Sequence, residues 1–306
     1  MRLAQACTAV VGILAGLAVV APQSASAQTE CTQTAEGRVC RVQQPLVNGV
    51  PVPLEMQREL GLVTVGDRCS GTLVNRFWVL TADHCVTTDG NAGSASAALP
   101  DIRITAEWSN RAVTPTRLVR NWWPAGRDVA LIFLGGEDLG SANIQLYFVG
   151  QVDEGVTLTK YGRGISELAH GTGPANAVPS QADGRYRSAR FTPTHSGPIT
   201  YRLPVNAAGQ VGAGGDSGGP DIATGPNGIA LGITGVSSSC SVRRVPGMPD
   251  QPPWEWVASI RSCDSTAIHE IRDEIVGVIH QGREPCAAPS RTCATTEATS
   301  LLLMLK

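Results

Sequence analysis

The chain has 306 residues, 42% of them hydrophobic, with 24 basic against 26 acidic side chains and a formal net charge of −2. That length and apolar content are enough to bury the core of one large domain with short extensions. A balance so close to neutral, with no charged tail at either end, excludes a basic field that would hold nucleic-acid phosphates.

In chain order, residues 1–27 read as a secretory signal peptide: Arg2, an apolar run over residues 9–20, then Ala25, Ser26 and Ala27 in the small-x-small form that precedes cleavage. The run is too short to cross a bilayer as a stable helix and no later stretch is long enough. The mature protein is therefore expected to be secreted or periplasmic, with no stable membrane anchor. Residues 28–45 read as a pro-segment or N-terminal extension containing Cys31 and Cys40. From residue 46 onward, short apolar and β-branched runs alternate with Gly, Pro, Asn and Asp turns, at 60–65, 71–74, 77–81, 102–108, 129–134, 156–160, 199–203, 228–236 and 254–260. This texture predicts an all-β fold. The interval 167–197, which holds His170 and His195, is rich in Gly, Pro and Ser and reads as a surface loop region. One helix is predicted near the end, where Ile268, Ile271, Ile275 and Ile279 recur at helical spacing with Glu270, Arg272, Asp273 and Glu274 largely opposite. Residues 283–306 form a tail with Cys286 and Cys293. His170, His195, His269 and His280 receive no role, a solvated or capping histidine being the plainer reading of the last two.

Three segments carry chemistry. Residues 81–85 spell TADHC, 127–134 spell RDVALIFL and 215–220 spell GDSGGP. A serine hydroxyl is a poor nucleophile at neutral pH and needs a base to take its proton and donors to receive the developing oxyanion. Singly, the segments are a histidine beside a cysteine, an ordinary buried strand and a glycine-rich turn. Together, in the order His, Asp, Ser, they resemble the trypsin/chymotrypsin-like serine peptidase family, whose motifs read roughly TAAHC, DIAL and GDSGGP. The likeness takes in residues 78–80 and the glycine-flanked turn at 161–164, and covers roughly residues 46–282. It implies two six-stranded antiparallel β-barrels with a closing C-terminal helix. It implies further a secreted endopeptidase working through an acyl-enzyme, with His84 as general base and then acid, Asp128 as its orienting carboxylate and Ser217 as nucleophile. The N–H groups of Gly215 and Ser217 would form the oxyanion hole. No metal or organic cofactor is implied, the partners are protein or peptide substrates, and a monomer is expected.

Loss of Cys7 with the signal leaves eight of the nine cysteines, an even number that in an exported chain reads as disulfides. Pairing near neighbours predicts Cys31 with Cys40, Cys69 with Cys85, Cys240 with Cys263, and Cys286 with Cys293. The resemblance supports the second, beside His84. It also assigns Asp216 as the carboxylate that an amine freed by activation would pair with. Pro45 stands before Leu46, an unfavourable place for a trypsin-like cut, whereas cleavage after Arg41 would free Val42. The substrate pocket departs from the trypsin pattern: Val211 stands where an aspartate would select Arg or Lys, and Ala213 where relatives have a cysteine. Gly235, Val236 and Ser237 align with the family segment that holds substrate as an added strand. These features predict an apolar or small residue before the scissile bond. Two alternatives stand beside the peptidase: a catalytically silent homologue acting as a binding module, and an α/β-hydrolase esterase. The esterase would take Gly215, Ser217 and Gly219 as GxSxG, followed by Asp264 or Asp273 and His269 or His280.

Overall fold

A computed structural model describes residues 29–34, 37–42 and 46–281, with breaks at 121–125, 141–151, 153–155, 172, 226–229 and 249–254. The predicted signal peptide, the expected Cys286–Cys293 pair and the tail lie outside the described residues. Among those described, no helix is long and apolar enough to cross a membrane.

Strands β1 (Thr29–Thr34) and β2 (Gly37–Val42) pair antiparallel and set Cys31 opposite Cys40 in register. Strand β3 (Val50–Pro51) is followed by helix α1 (Leu54–Leu60). The first large sheet uses β4 (Leu62–Val65), β5 (Cys69–Leu73), β6 (Trp78–Thr81), β7 (Ile104–Ala106), β8 (Arg111–Val113), β9 (Arg117–Val119) and β10 (Ala130–Phe133). Their spatial order is β8-β7-β4-β5-β6-β10-β9. The second sheet joins β3 to β11 (Leu158–Gly162), β12 (Arg187–Phe191), β13 (His195–Ser196), β14 (Thr200–Pro204), β15 (Pro220–Thr224), β16 (Ala230–Arg244) and β17 (Val257–Ala267). It runs β13-β14-β17-β16-β15-β11-β12-β3. A short turn of helix, α2 (Gly173–Asn176), lies between β11 and β12, and α3 (Arg272–Gln281) closes the described chain.

This is the expected all-β, two-sheet architecture with a C-terminal helix. Among the described residues the sheets hold seven and eight strands where six each were expected. In the second the surplus is made by the two-residue strands β3 and β13, too short to show as an alternating pattern in sequence. Helix α1 is a second departure, since the run 60–65 predicts Leu60 in the strand that follows it. Its signals are local: Pro53 ahead of the first turn, Glu55 within it, and Gly61 in the left-handed region at φ 65°, donating back to the carbonyls of Gln57 and Arg58.

Strand periodicity explains how the layers share their cores. Along β6 and β10, Val79, Ala130 and Ile132 face a cluster with Val63, Val65, Leu73 and Ile104 inside the first sheet. The alternate residues Trp78, Leu80 and Leu131 face the other way. They meet Ile233 and Val236 of β16 and Ile268, Ile271 and Ile275 from the C-terminal helical segment. Fully burying each such side chain contributes about 1.5–3 kcal/mol. This second cluster therefore holds the halves together, directly beneath the strand ends that carry His84 and Asp128.

Candidate active site

Thr81 ends β6, and the chain turns through Ala82 into a single 3-10 turn, Asp83–Val86, that presents His84. Two clamps fix this turn. The Cys69–Cys85 disulfide ties it to β5. On the other side the fully buried Asp83 takes a two-pronged ion pair from Arg120, Nε to Oδ1 at 2.7 Å and Nη2 to Oδ2 at 2.9 Å. Arg120 also donates to Ser94 O and Ser96 Oγ, so one guanidinium locks the loop after His84 against the residue before it.

Asp128 precedes β10, the neighbour of β6 in the ladder, so adjacent strand ends bring two residues 44 apart in sequence together. His84 Nδ1 lies 2.7 Å from Asp128 Oδ2, and the backbone N–H of His84 donates to Oδ1 at 2.9 Å. A third donor is the Ser238 hydroxyl, 2.6 Å from Oδ2. Burial pushes the Asp128 carboxyl up, but the hydrogen bonds and charge of His84, together with Ser238, outweigh it and hold the group below its ordinary value. The carboxylate is thus kept anionic against the imidazole, of which about a fifth (19%) remains exposed.

The segment 213–219 turns tightly against this pair. Gly218 has φ +81°, and a Cβ there would run into Thr81 Oγ1 and Ser70 O, which places the residue after Ser217 against the end of β6. Ser70 N donates to Ser217 O at 2.8 Å, and Ser70 Oγ donates to Gly215 O at 3.0 Å. Ser70 follows Cys69, so the same short stretch of β5 is bound to the histidine turn and to the serine turn. On the far side, Gly218 N donates to Ser237 O at 2.8 Å, one residue before the Ser238 that bonds Asp128. Ser217 Oγ makes no hydrogen bond among the described residues, His84 Nε2 included; such contacts are commonly long until substrate is bound. Gly215 has φ +94°, where a Cβ would stand 2.6 Å from Gly164 Cα. Within the turn the N–H groups of Asp216, Gly218 and Gly219 have backbone acceptors, while none is found among the described residues for those of Gly215 and Ser217. Two N–H groups without acceptors in this turn are donors of the kind that stabilise a developing negative charge.

Residues 46–250, about two thirds of the chain, match the family model described as Trypsin. The chain belongs to that family. Among curated proteins no relative matches it. Membership agrees with the all-β architecture and removes the basis of the α/β-hydrolase alternative, which needs strands and helices alternating around the serine. Its candidate acid Asp264 lies on β17 and accepts from Arg202 at 2.8 Å. Asp273 and His280 lie on α3, His269 in the turn before it, and none of them bonds Ser217 among the described residues.

Cys240–Cys263 is formed across β16 and β17. Val211 is buried and bridges to Val47, leaving no counter-charge at that point. Gly235 and Val236 are paired on both sides, with Asp221 and Pro220 of β15 and with Ala267 and Thr266 of β17, so they offer no edge to an incoming strand. Among the described residues, the open edge of β16 begins at Ser238, just beyond the segment read from sequence. Two residues that sequence reasoning missed, Ser70 and Ser238, are serines inside strands; only adjacency to Cys69 and to the 235–237 segment singled them out.

Asp216 is fully buried, and its carboxylate accepts from Gly164 N at 2.9 Å and Ala213 N at 2.7 Å. Burial pushes its pKa up to about 6 in spite of these bonds. With an unfolded value near 4, the native state retains a proton that the unfolded chain has lost. The contribution of this group is therefore fully present below about pH 4 and is lost as pH rises through about 6, a change on the order of 3 kcal/mol. Urea unfolding of the unprocessed chain from pH 4 to 8 should show it losing stability relative to its Asp216→Asn variant as pH rises. A flat difference would mean that a cation neutralises Asp216 in the folded protein.

Proposed function

We propose that the protein is an exported serine endopeptidase in which Ser217 attacks a peptide carbonyl and His84 takes its proton. His84 then returns the proton to the leaving amine, and water hydrolyses the acyl-enzyme. The observation that carries this reading is the hydrogen-bonded path from the Ser217 turn through Ser237 and Ser238 to Asp128 and on to His84. A structural turn would not need at its side an anionic carboxylate that bonds an imidazole and is held by two further donors. The Asp128 carboxylate fixes the tautomer that leaves Nε2 free to accept the hydroxyl proton, and stabilises the imidazolium that results. The N–H groups of Gly215 and Ser217 receive the oxyanion. Nothing in these steps calls for a metal or organic cofactor, and the substrate is a protein or peptide held along an open strand edge.

Activation belongs to the same proposal. Leu46 is fully buried and Val47 bridges to Val211, so the segment that begins the domain lies close to the serine turn. Removal of residues 28–45, or a cut after Arg41, would free an amine a few residues before Val47, which bridges to Val211 ahead of the serine turn, and Asp216, held by two backbone N–H groups, has no salt bridge among the described residues to compete for it. A buried carboxylate without a partner is costly, so pairing stabilises the turn. Sequencing the N-terminus of the active form tests this step, and an active chain still beginning near residue 28 rejects it.

The activity itself is tested with a fluorophosphonate probe, which reacts with activated serines. Labelling should occur on wild type and vanish in both Ser217→Ala and His84→Ala. Folded, processed protein that takes no label would make the chain a silent homologue that uses the same surface for binding.

A further inference from the structure

We propose that the Cys240–Cys263 disulfide is a wall of the substrate pocket and restricts the residue before the scissile bond to glycine, alanine or serine. The inference rests on the peptidase reading above and narrows its substrate class. Beyond the Pro220 and Val236 pair, β16 has no β15 beside it, and from Ser238 onward it pairs only with β17 among the described residues. This free edge starts at the residue that bonds Asp128 and runs away from the Ser217 turn, to which Ser237 O is tied. An extended peptide added along it would deliver a carbonyl to Ser217. The side chain next to that carbonyl must then enter between β16 and the segment 211–213 leading into the serine turn.

That space is occupied from both sides. Cys240 and Cys263 face each other in the β16 to β17 ladder and are bonded. Cys263 is buried, with its Sγ 3.0 Å from where a Cβ on Gly212 would stand. Cys263 shares one buried cluster with Ile165, Val211, Ala213, Val257 and Ile260, and Cys240 packs against it. Lys160 Cε comes within 3.1 Å of the same Gly212 Cβ position, so even the glycine in the wall has no free volume behind it. A disulfide is covalent and cannot swing aside as a single side chain can, and protein interiors accept extra methylenes poorly. With Val211 in place of a carboxylate, there is also no charge to draw in Arg or Lys.

The test is a series of peptide p-nitroanilides carrying Ala, Val, Leu, Phe or Arg before the scissile bond, assayed on protein whose active serine is titrated with the fluorophosphonate. Because one added methylene is worth roughly 10–200-fold, kcat/KM for Ala should exceed that for Leu and Phe by at least about a hundredfold. The double variant Cys240→Gly with Cys263→Gly should raise Phe relative to Ala by about tenfold or more. Wild type that takes the label, keeps the disulfide and cleaves after Phe or Leu as well as after Ala would overturn the proposal while leaving the peptidase reading intact. Protein that takes no label would overturn both. If the double variant fails to fold, the wild-type series alone decides.

Discussion

Asp128→Asn is expected to lower kcat by about 10,000-fold while leaving the fold in place. The asparagine fills the same volume and its oxygen can still accept from the His84 backbone N–H, a bond of 2.9 Å in the native protein. Its other head atom is an NH2, which cannot accept from His84 Nδ1. The imidazole must then present an unprotonated Nδ1 and carry its proton on Nε2, the nitrogen that has to receive the Ser217 proton. The Ser238 hydroxyl, now 2.6 Å from Oδ2, would also lose its acceptor or have to turn. Steady-state rates on a peptide p-nitroanilide and the rate of fluorophosphonate labelling should fall together. A variant within tenfold of wild type would remove this carboxylate from the mechanism.

Lys160→Ala is expected to destabilise the protein by about 3–5 kcal/mol. The Lys160 ammonium and the Asp221 carboxylate are both fully buried, 3.0 Å apart. Ser265 Oγ completes the shell around the ammonium at 3.2 Å, and the Tyr201 hydroxyl donates to Asp221 at 2.8 Å. Burial and the adjacent Asp221 charge hold the Tyr201 phenol far above its ordinary value, so it remains a neutral donor. Removing the lysine strands an anion where water cannot reach it. Replacing both charges, as Lys160→Met with Asp221→Leu, should restore most of the loss, because well-packed apolar residues often equal or exceed a buried pair. Urea denaturation of the single and double variants measures both quantities. A single variant within about 1 kcal/mol of wild type would mean that Asp221 finds another partner or takes up a proton.

The legible parts of the molecule were those governed by short periods and local chemistry. Short continuous apolar runs at 77–81 and 129–134 marked β6 and β10, and the isoleucines from 268 onward marked the closing helix, because a helix face that must be buried leaves a fixed repeat. The three motifs marked His84, Asp128 and Ser217 as candidates, and the structure places the carboxylate on the imidazole and the serine turn against the end of β6. What stayed hidden depends on strands far apart in the chain. The point at which β15 leaves β16, and hence the open edge at Ser238, is a register property that no residue type announces. Asp83 and Arg120 meet through a loop closure, and Lys160 was only a lone lysine in an apolar run until Asp221 appeared beside it. Helix α1 was lost because seven residues are too few for a clear repeat.

The C-terminal helical segment has one more consequence, for the order of events during synthesis. Ile268, Ile271 and Ile275 complete an apolar layer whose other members, Trp78, Leu80 and Leu131, were translated long before. A nascent chain halted ahead of Ile268 already contains the histidine, the aspartate and the serine, yet it lacks the cover that seals one half upon the other. Closure of one half upon the other is thus withheld from the growing polypeptide until residues 268–275 have been made.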